Sequence, residues 1–213
     1  MNLILYAGTF DPPTLGHLWM IHRGMEIAEK LVVAVGQNPD KKPMFSIEER
    51  IAMLVACVQE THSRNVGKWD DDLLRYRIRF DTCGSKLLIH YAQEVGAKYI
   101  LRGIRNAHDA EYERNMRCVN ADIDPSIQTI FLMPPRDLCE VSSSLVKGLM
   151  KSEGWQNIVS RYVPSAVMRR LVARQIDRAK DRLKINELQK GDRVLLEPSM
   201  FCHDGSALKE VRK

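Results

Sequence analysis

The chain has 213 residues, 45% hydrophobic and 28% charged, a balance that excludes a disordered or collagen-like polymer and suits one well-filled domain with an appendage. Its five cysteines are widely spaced without a C-x-x-C pair, and no run approaches the ~20 apolar residues of a membrane span; a disulfide scaffold, a zinc ribbon and a membrane protein are set aside, and a reduced, cytoplasmic setting is expected. The net charge of +5 lies in the tail: residues 1–167 hold 20 basic and 20 acidic side chains, residues 168–213 hold 12 and 7.

The first run, NLILYA, lacks a basic n-region and is too short for an h-region, so no leader is expected. Short and continuously apolar, it reads as a strand buried on both faces. GTFDPPTLGH, residues 8–17, follows directly. Gly8 lets backbone approach a ligand, Thr9 and Asp11 offer polar atoms, and Pro12 and Pro13 stiffen the loop. Thr14 reads as an N-cap, which puts Gly16 and His17 in the first turn of a helix over residues 15–30. The free N–H groups and dipole of such a turn attract phosphate, with His17 facing it.

LVVAVG, residues 31–36, is a second buried strand, and Lys41 and Lys42 stand in the proline-bounded loop after it, at the sheet edge expected to hold His17. Ser46, with Glu48 and Glu49 in the first turn, opens a helix over residues 46–60. Residues 61–85 fit the pattern less well. There Arg75, Arg77 and Arg79 alternate with Tyr76, Ile78 and Phe80, predicting a strand with one polar face. The consecutive Asp70, Asp71 and Asp72 point in different directions and read as a solvated loop or helix cap.

A helix over residues 86–95 and a strand over 97–103 come next. Arg102 and Arg105 flank Gly103, where their guanidinium forks can grip phosphate oxygens; the competing role is an ion pair with Glu111 or Glu113. A polar helix over 108–121, a strand over 127–133 and a helix over 142–152 complete the alternation. Ser142, Ser143 and Ser144 cap the last of these and offer donors to a second anion. The tail reads as a basic helix over residues 164–188 and, after a glycine turn, a short strand GDRVLLEP at 191–198.

Strands alternating with helices predict an α/β, Rossmann-like doubly wound parallel sheet with helices on both faces, spanning residues 1–175, plus a basic C-terminal extension at 176–213. Ligands of such sheets bind beyond the carboxyl ends of the strands, where strand order reverses. Neither G-x-G-x-x-G nor G-x-x-x-x-G-K-[ST] is present, so a dinucleotide fingerprint and a P-loop are unsupported. His22 and His90 read as packing or surface residues, His62 and His203 have no ligand set around them, and Met20, Met25, Met53 and Met116 read as core filler.

GTFDPPTLGH resembles the G-T-F-D-P and [TH]-x-G-H signature of the nucleotidylyltransferase superfamily, with Thr14 where many members carry a first histidine. KKPMFSIEER at 41–50, ILRGIRNAHDAEYE at 100–113 and FLMPPRDLCEVSSSLVK at 131–147 are similar, in order and spacing, to the bacterial phosphopantetheine adenylyltransferases. The resemblance covers residues 1–175 and implies transfer of the adenylyl group of ATP to 4′-phosphopantetheine, giving dephospho-coenzyme A and pyrophosphate.

It implies that His17 stabilises charge on the α-phosphate while Thr9 holds nucleophile and nucleotide together. Lys41 and Arg102 would hold the acceptor phosphate, and Leu88 would line the pantetheine channel. Thr9, Phe10, His17, Gly103, Ile104, Arg105, Glu113, Leu138, Cys139, Glu140, Val141, Ser142, Ser143 and Ser144 would bind ATP. Mg²⁺ on the triphosphate, a homohexamer and coenzyme A as a feedback ligand are implied as well.

Departures from the pattern are Ala7 in place of a proline, residues 138–141 in place of a stretch with an aromatic, and the additional 61–85 segment and tail. Two other readings stand beside this one. A nicotinamide mononucleotide adenylyltransferase would normally show I-S-S-T and a following arginine, where this chain has V-S-S-S-L-V-K. A nucleic-acid-binding module would use the basic tail, which has few aromatics and a modest charge excess; neither nucleic acid nor membrane is the expected partner.

Overall fold

The structure, a computed structural model, describes residues 2–37, 42–64 and 76–194. The chain divides into two compact units, Met1–Arg170 and Leu171–Lys213. In the first, β1 (Leu3–Gly8), β2 (Lys30–Gly36), β3 (Ile78–Gly84), β4 (Tyr99–Gly103) and β5 (Gln128–Leu132) form one sheet in the order β3-β2-β1-β4-β5. Every pairing is parallel, with Ile4 of β1 level with Leu31 on one side and Tyr99 on the other.

The continuous apolar runs became the central strands, because only a strand covered on both faces can bury consecutive side chains: Ile4 to Ala7 and Leu31 to Val35 are all buried. On one face Leu5, Ala7, Val32, Ala34 and Ile100 pack with Ile89, Tyr91 and Ala92 of α3 (Leu88–Val95). On the other lies α1 (Leu15–Ile27), brought close by Gly24, where a Cβ would stand 3.2 Å from both Leu31 and Leu101. Met25 and Met53 are buried, as core filler should be; Met20 is buried as well but lines a cavity beyond the strand ends, and Met116 is only half-buried.

The remaining helices of this unit start where the caps dictate. Ser46 and Glu49 form a reciprocal box ahead of α2 (Ile47–Arg64): the Ser46 hydroxyl accepts the Glu49 amide at 3.2 Å and the Glu49 carboxylate accepts the Ser46 amide at 2.8 Å. Asn106 caps α4 (Ala107–Ile123), and Ser142 caps α5 (Ser143–Leu149) by accepting the Leu145 amide at 3.1 Å. After a short α6 (Trp155–Val159), which the sequence pattern did not suggest, α7 (Ser165–Val194) begins. Its first turn is capped from α2: Glu60 accepts the Ser165 hydroxyl at 2.7 Å and the Ala166 amide at 3.1 Å, and pairs with Arg169.

Three expectations are corrected. Helix α1 stops at Ile27 rather than near residue 30, since Arg77 donates to the carbonyls of Met25, Ala28 and Glu29 and Lys30 already opens β2. The polar-faced strand begins at Ile78, after Tyr76 and Arg77, and its exposed Arg79 and Thr82 fit an edge position. The glycine turn expected at residue 191 is absent: α7 runs through Gly191 to Val194, one helical glycine costing only about 1 kcal/mol. Asp70, Asp71, Asp72, Arg75, residues 195–198 and His203 lie outside the described residues, as does the side chain of His62.

Candidate functional site

Strand order reverses at β1: the chain proceeds from it through β2 to β3, then returns to add β4 on its other side. Gly8 and Gly103 end these two neighbours, and a cavity of about 720 Å³ opens beyond them, the place a parallel sheet offers a ligand. Thr9, His17, Leu88, Arg102, Arg105 and Ser144 all line it, brought together from four segments of sequence.

Phe10 does not line it. The residue adopts φ 48°, a left-handed conformation uncommon outside glycine, and this turns the ring inward to full burial. The ring meets Tyr6 edge-on at 5.4 Å and the His17 imidazole at 5.0 Å. It also gives Gly8 a second purpose, because a Cβ there would stand 3.0 Å from the Phe10 ring. Phe10 therefore supports the histidine from below instead of presenting its side chain to a ligand.

His17 occupies the third position of α1 and completes a capping box with Thr14. Its Nδ1 accepts the Thr14 amide at 3.0 Å, so in the neutral ring the proton sits on Nε2, which is left as a donor. Burial, with the Arg105 guanidinium adding to it, pushes the imidazole down to about 4. The site thus holds a neutral N–H donor at a helix N-terminus, where unpaired amides already favour anions.

Both arginines are partly committed. Arg102 makes a fork-to-fork pair with Glu113, Nε donating to Oε2 at 2.7 Å and Nη2 to Oε1, and Nη1 donates to the Ala7 carbonyl at 3.0 Å. Three of its five N–H donors are used in these bonds, leaving two for a ligand. Arg105 holds Asp109 through Nε at 2.8 Å and Nη2 at 3.2 Å. Burial works against ionisation of Asp109, yet the Arg105 side-chain hydrogen bond, charge and backbone amide together outweigh it and keep that carboxyl below its usual range. The ion pair with Glu113, weighed from sequence as the competing role, is formed by Arg102, and Glu113 is buried beneath it.

The stretch before α5 divides. Leu138, Val141, Ser142, Ser143 and Ser144 line the cavity, whereas Cys139 and Glu140 do not; the Cys139 thiol faces the carbonyls of Pro134 and Pro135 at 3.4 and 3.5 Å. The Ser142 hydroxyl is used as a cap and that of Ser143 donates to the Pro12 carbonyl at 2.8 Å. Ile104 stands off the cavity too, its amide held by Leu132. Lys41 lies outside the described residues, while Lys42 is exposed.

Two residues that lie within the sequence motifs but carry no expected loop-shaping role there hold the loops. Arg50, only 3% exposed, donates Nη1 to the carbonyls of Thr9 at 2.8 Å and Gly36 at 3.3 Å, and Nε to that of Ser46 at 3.1 Å. Asp11 is buried and hydrogen-bonded wholly within the protein, so it is not a polar atom offered to a ligand. Among the described residues no group of three His, Cys, Asp or Glu is arranged for a metal ion.

A model of the cytidylyltransferase-like family matches residues 5–149. The phosphopantetheine adenylyltransferase of Neisseria meningitidis serogroup C (strain 053442) is 47% identical over 169 residues, covering 79% of this chain and 91% of that one. That of Chromobacterium violaceum is 46% identical over 173 residues, 81% of this chain and 97% of the relative. Among solved structures, Plasmodium falciparum nicotinic acid mononucleotide adenylyltransferase complexed with NaAD aligns with a TM-score of 0.56 at 13% identity, over 81% of this chain and 95% of that one, a likeness of fold alone.

Proposed function

The chain belongs to the bacterial phosphopantetheine adenylyltransferases of the cytidylyltransferase-like family, and from that premise we propose how its cavity joins ATP to 4′-phosphopantetheine. An oxygen of the acceptor phosphate attacks the α-phosphorus of ATP. The new P–O bond forms as the bond to the α–β bridging oxygen breaks, and pyrophosphate leaves with that electron pair. The nucleophile is already an anion, so no base is required and no covalent enzyme intermediate arises; catalysis is positioning plus stabilisation of charge.

One observation carries the reading: the His17 ring lines the cavity with Nδ1 tied to Thr14 and Nε2 free to donate. A neutral imidazole with a pKa near 4 acts as a fixed hydrogen-bond donor to the charge that develops on the α-phosphate, with no proton transfer. Thr9, exposed between the ends of β1 and α1, sits between nucleotide and acceptor. Arg102, with its two remaining donors, and Lys41 hold the acceptor phosphate, and Leu88 faces the pantetheine arm. Gly103, Arg105, Leu138, Val141 and residues 142–144 hold ATP. Mg²⁺ enters with the triphosphate, since both cavity-lining carboxylates, Asp109 and Glu113, are occupied by arginines.

We place the enzyme in the cytoplasm as a homohexamer with coenzyme A as a feedback ligand. No helix among the described residues is long and apolar enough to cross a membrane. Exposed Tyr112, Val119 and Ile123 make a stripe along α4, with exposed Met133 just after edge strand β5, which suits a contact between copies. The deciding assay is pyrophosphate release from Mg·ATP with 4′-phosphopantetheine, beside nicotinamide mononucleotide and a no-acceptor control. Turnover with phosphopantetheine alone is expected; turnover with the mononucleotide alone would keep the fold and move the substrate.

A further inference from the structure

Asp11 is 5% exposed and uses both carboxylate oxygens on three partners from two distant segments. Oδ2 accepts the Met44 amide at 2.9 Å and Oδ1 the Phe45 amide at 3.0 Å. The Lys147 ammonium donates to Oδ2 at 2.9 Å. Beside it the Pro12 carbonyl accepts the Ser143 hydroxyl at 2.8 Å, so Ser143 and Lys147, one turn apart on α5, both fasten to the same two-residue segment. Charge-assisted bonds to a buried carboxylate are strong and direction-specific.

Met44 and Phe45 follow the lysine pair with only Pro43 between, and α5 begins with the serines that line the cavity. We propose that Asp11 is a positioning residue that fixes the segment behind Lys41 and Lys42 and the start of α5 against one another, setting the spacing between the acceptor-phosphate and triphosphate ends of the cavity. This rests on the functional reading above. Arg50 supplies the complementary tie, since it collects carbonyls from Thr9, Gly36 and Ser46 where Asp11 collects amides. The loop between β1 and α1 is thereby tied to α2 and the segment leading into it by a buried cation on α2, Arg50, and a buried anion of its own, Asp11.

Asp11→Asn and Lys147→Met separate the two ties. In Asp11→Asn the amide group turns a donor toward the Met44 or Phe45 amide and withdraws charge from Lys147, so KM rises about 10- to 100-fold for both phosphopantetheine and ATP. Lys147→Met keeps both amide bonds, so the ATP KM rises about tenfold while the phosphopantetheine KM stays within about threefold. A purely structural role would lower the active fraction and the apparent kcat in both variants with each KM unchanged, and that result overturns the proposal. Should Asp11→Asn fail to fold, the asymmetry of Lys147→Met decides alone. Hydrogen exchange needs no acceptor: the Met44 and Phe45 amides are protected in the wild type and exchange at least about 100-fold faster in Asp11→Asn. Wild-type silence with phosphopantetheine would remove the functional reading and leave the exchange result to judge the tie; unchanged protection in a folded Asp11→Asn sinks it.

Discussion

The Nδ1 atom of His17 lies 3.0 Å from the amide nitrogen of Thr14, so the histidine proposed to meet the α-phosphate also caps the helix that carries it. The tautomer is fixed by the fold before any substrate arrives. His17→Ala is expected to lose on the order of 10²- to 10³-fold in kcat, the size of one preorganised transition-state donor. An unchanged kcat with a raised KM would make it a ground-state binder.

The same geometry sets a pH dependence. Native His17 titrates near 4 against an ordinary 6.5, so between those values the unfolded chain holds a proton that the folded chain lacks. Stability from this group is complete above pH 6.5 and is lost as pH falls toward 4. A ¹⁵N-resolved titration of the ligand-free protein should find His17 with Nε2 protonated and a midpoint near 4. His17→Gln should flatten the fall in Tm across that window; an identical slope would contradict it.

Glu113 and Arg102 give a test of which substrate each serves. With Glu113 buried and bound bidentately, its role in the site is to hold the Arg102 fork. Glu113→Gln should raise the phosphopantetheine KM about tenfold and leave that of ATP within about threefold. The reverse pattern would mean a direct nucleotide contact.

Gly8→Ala is expected to cost about 1–3 kcal/mol, since its Cβ would press on a Phe10 ring with no room to retreat between Tyr6 and His17. The push is transmitted to the imidazole, so kcat should fall as well. Chemical denaturation and steady-state kinetics on the same sample measure both.

Arg77 offers a control remote from the cavity. It binds the carbonyls of Met25, Ala28 and Glu29 at the end of α1. Arg77→Met should lose about 1–3 kcal/mol through three unmade bonds while KM for both substrates is unchanged.

The tail is expected to serve assembly or an acidic partner. Removal of residues 177–213 keeps the Glu60 cap on the first turn of α7 and should leave kcat within about threefold, while light scattering reports a changed oligomer or an acidic ligand is no longer bound. Unchanged assembly and unchanged binding would count against any such role.

Much of this was legible in the chain. Two runs of consecutive apolar side chains can be satisfied only at the centre of a parallel sheet, and Thr14, Ser46 and Ser142 announced their helices because a side-chain oxygen three residues before an amide is a local matter. The ligand end of the sheet followed from those elements alone. What the sequence could not settle are outcomes of distance in three dimensions. Arg50 and Asp11 meet backbone groups some 30 to 40 residues away, Arg102 gives two of its donors to Glu113 and a third to the Ala7 carbonyl, and a left-handed Phe10 turns from the cavity to the core. A residue's type fixes which bonds it can make, while the folded backbone decides which partner comes within reach.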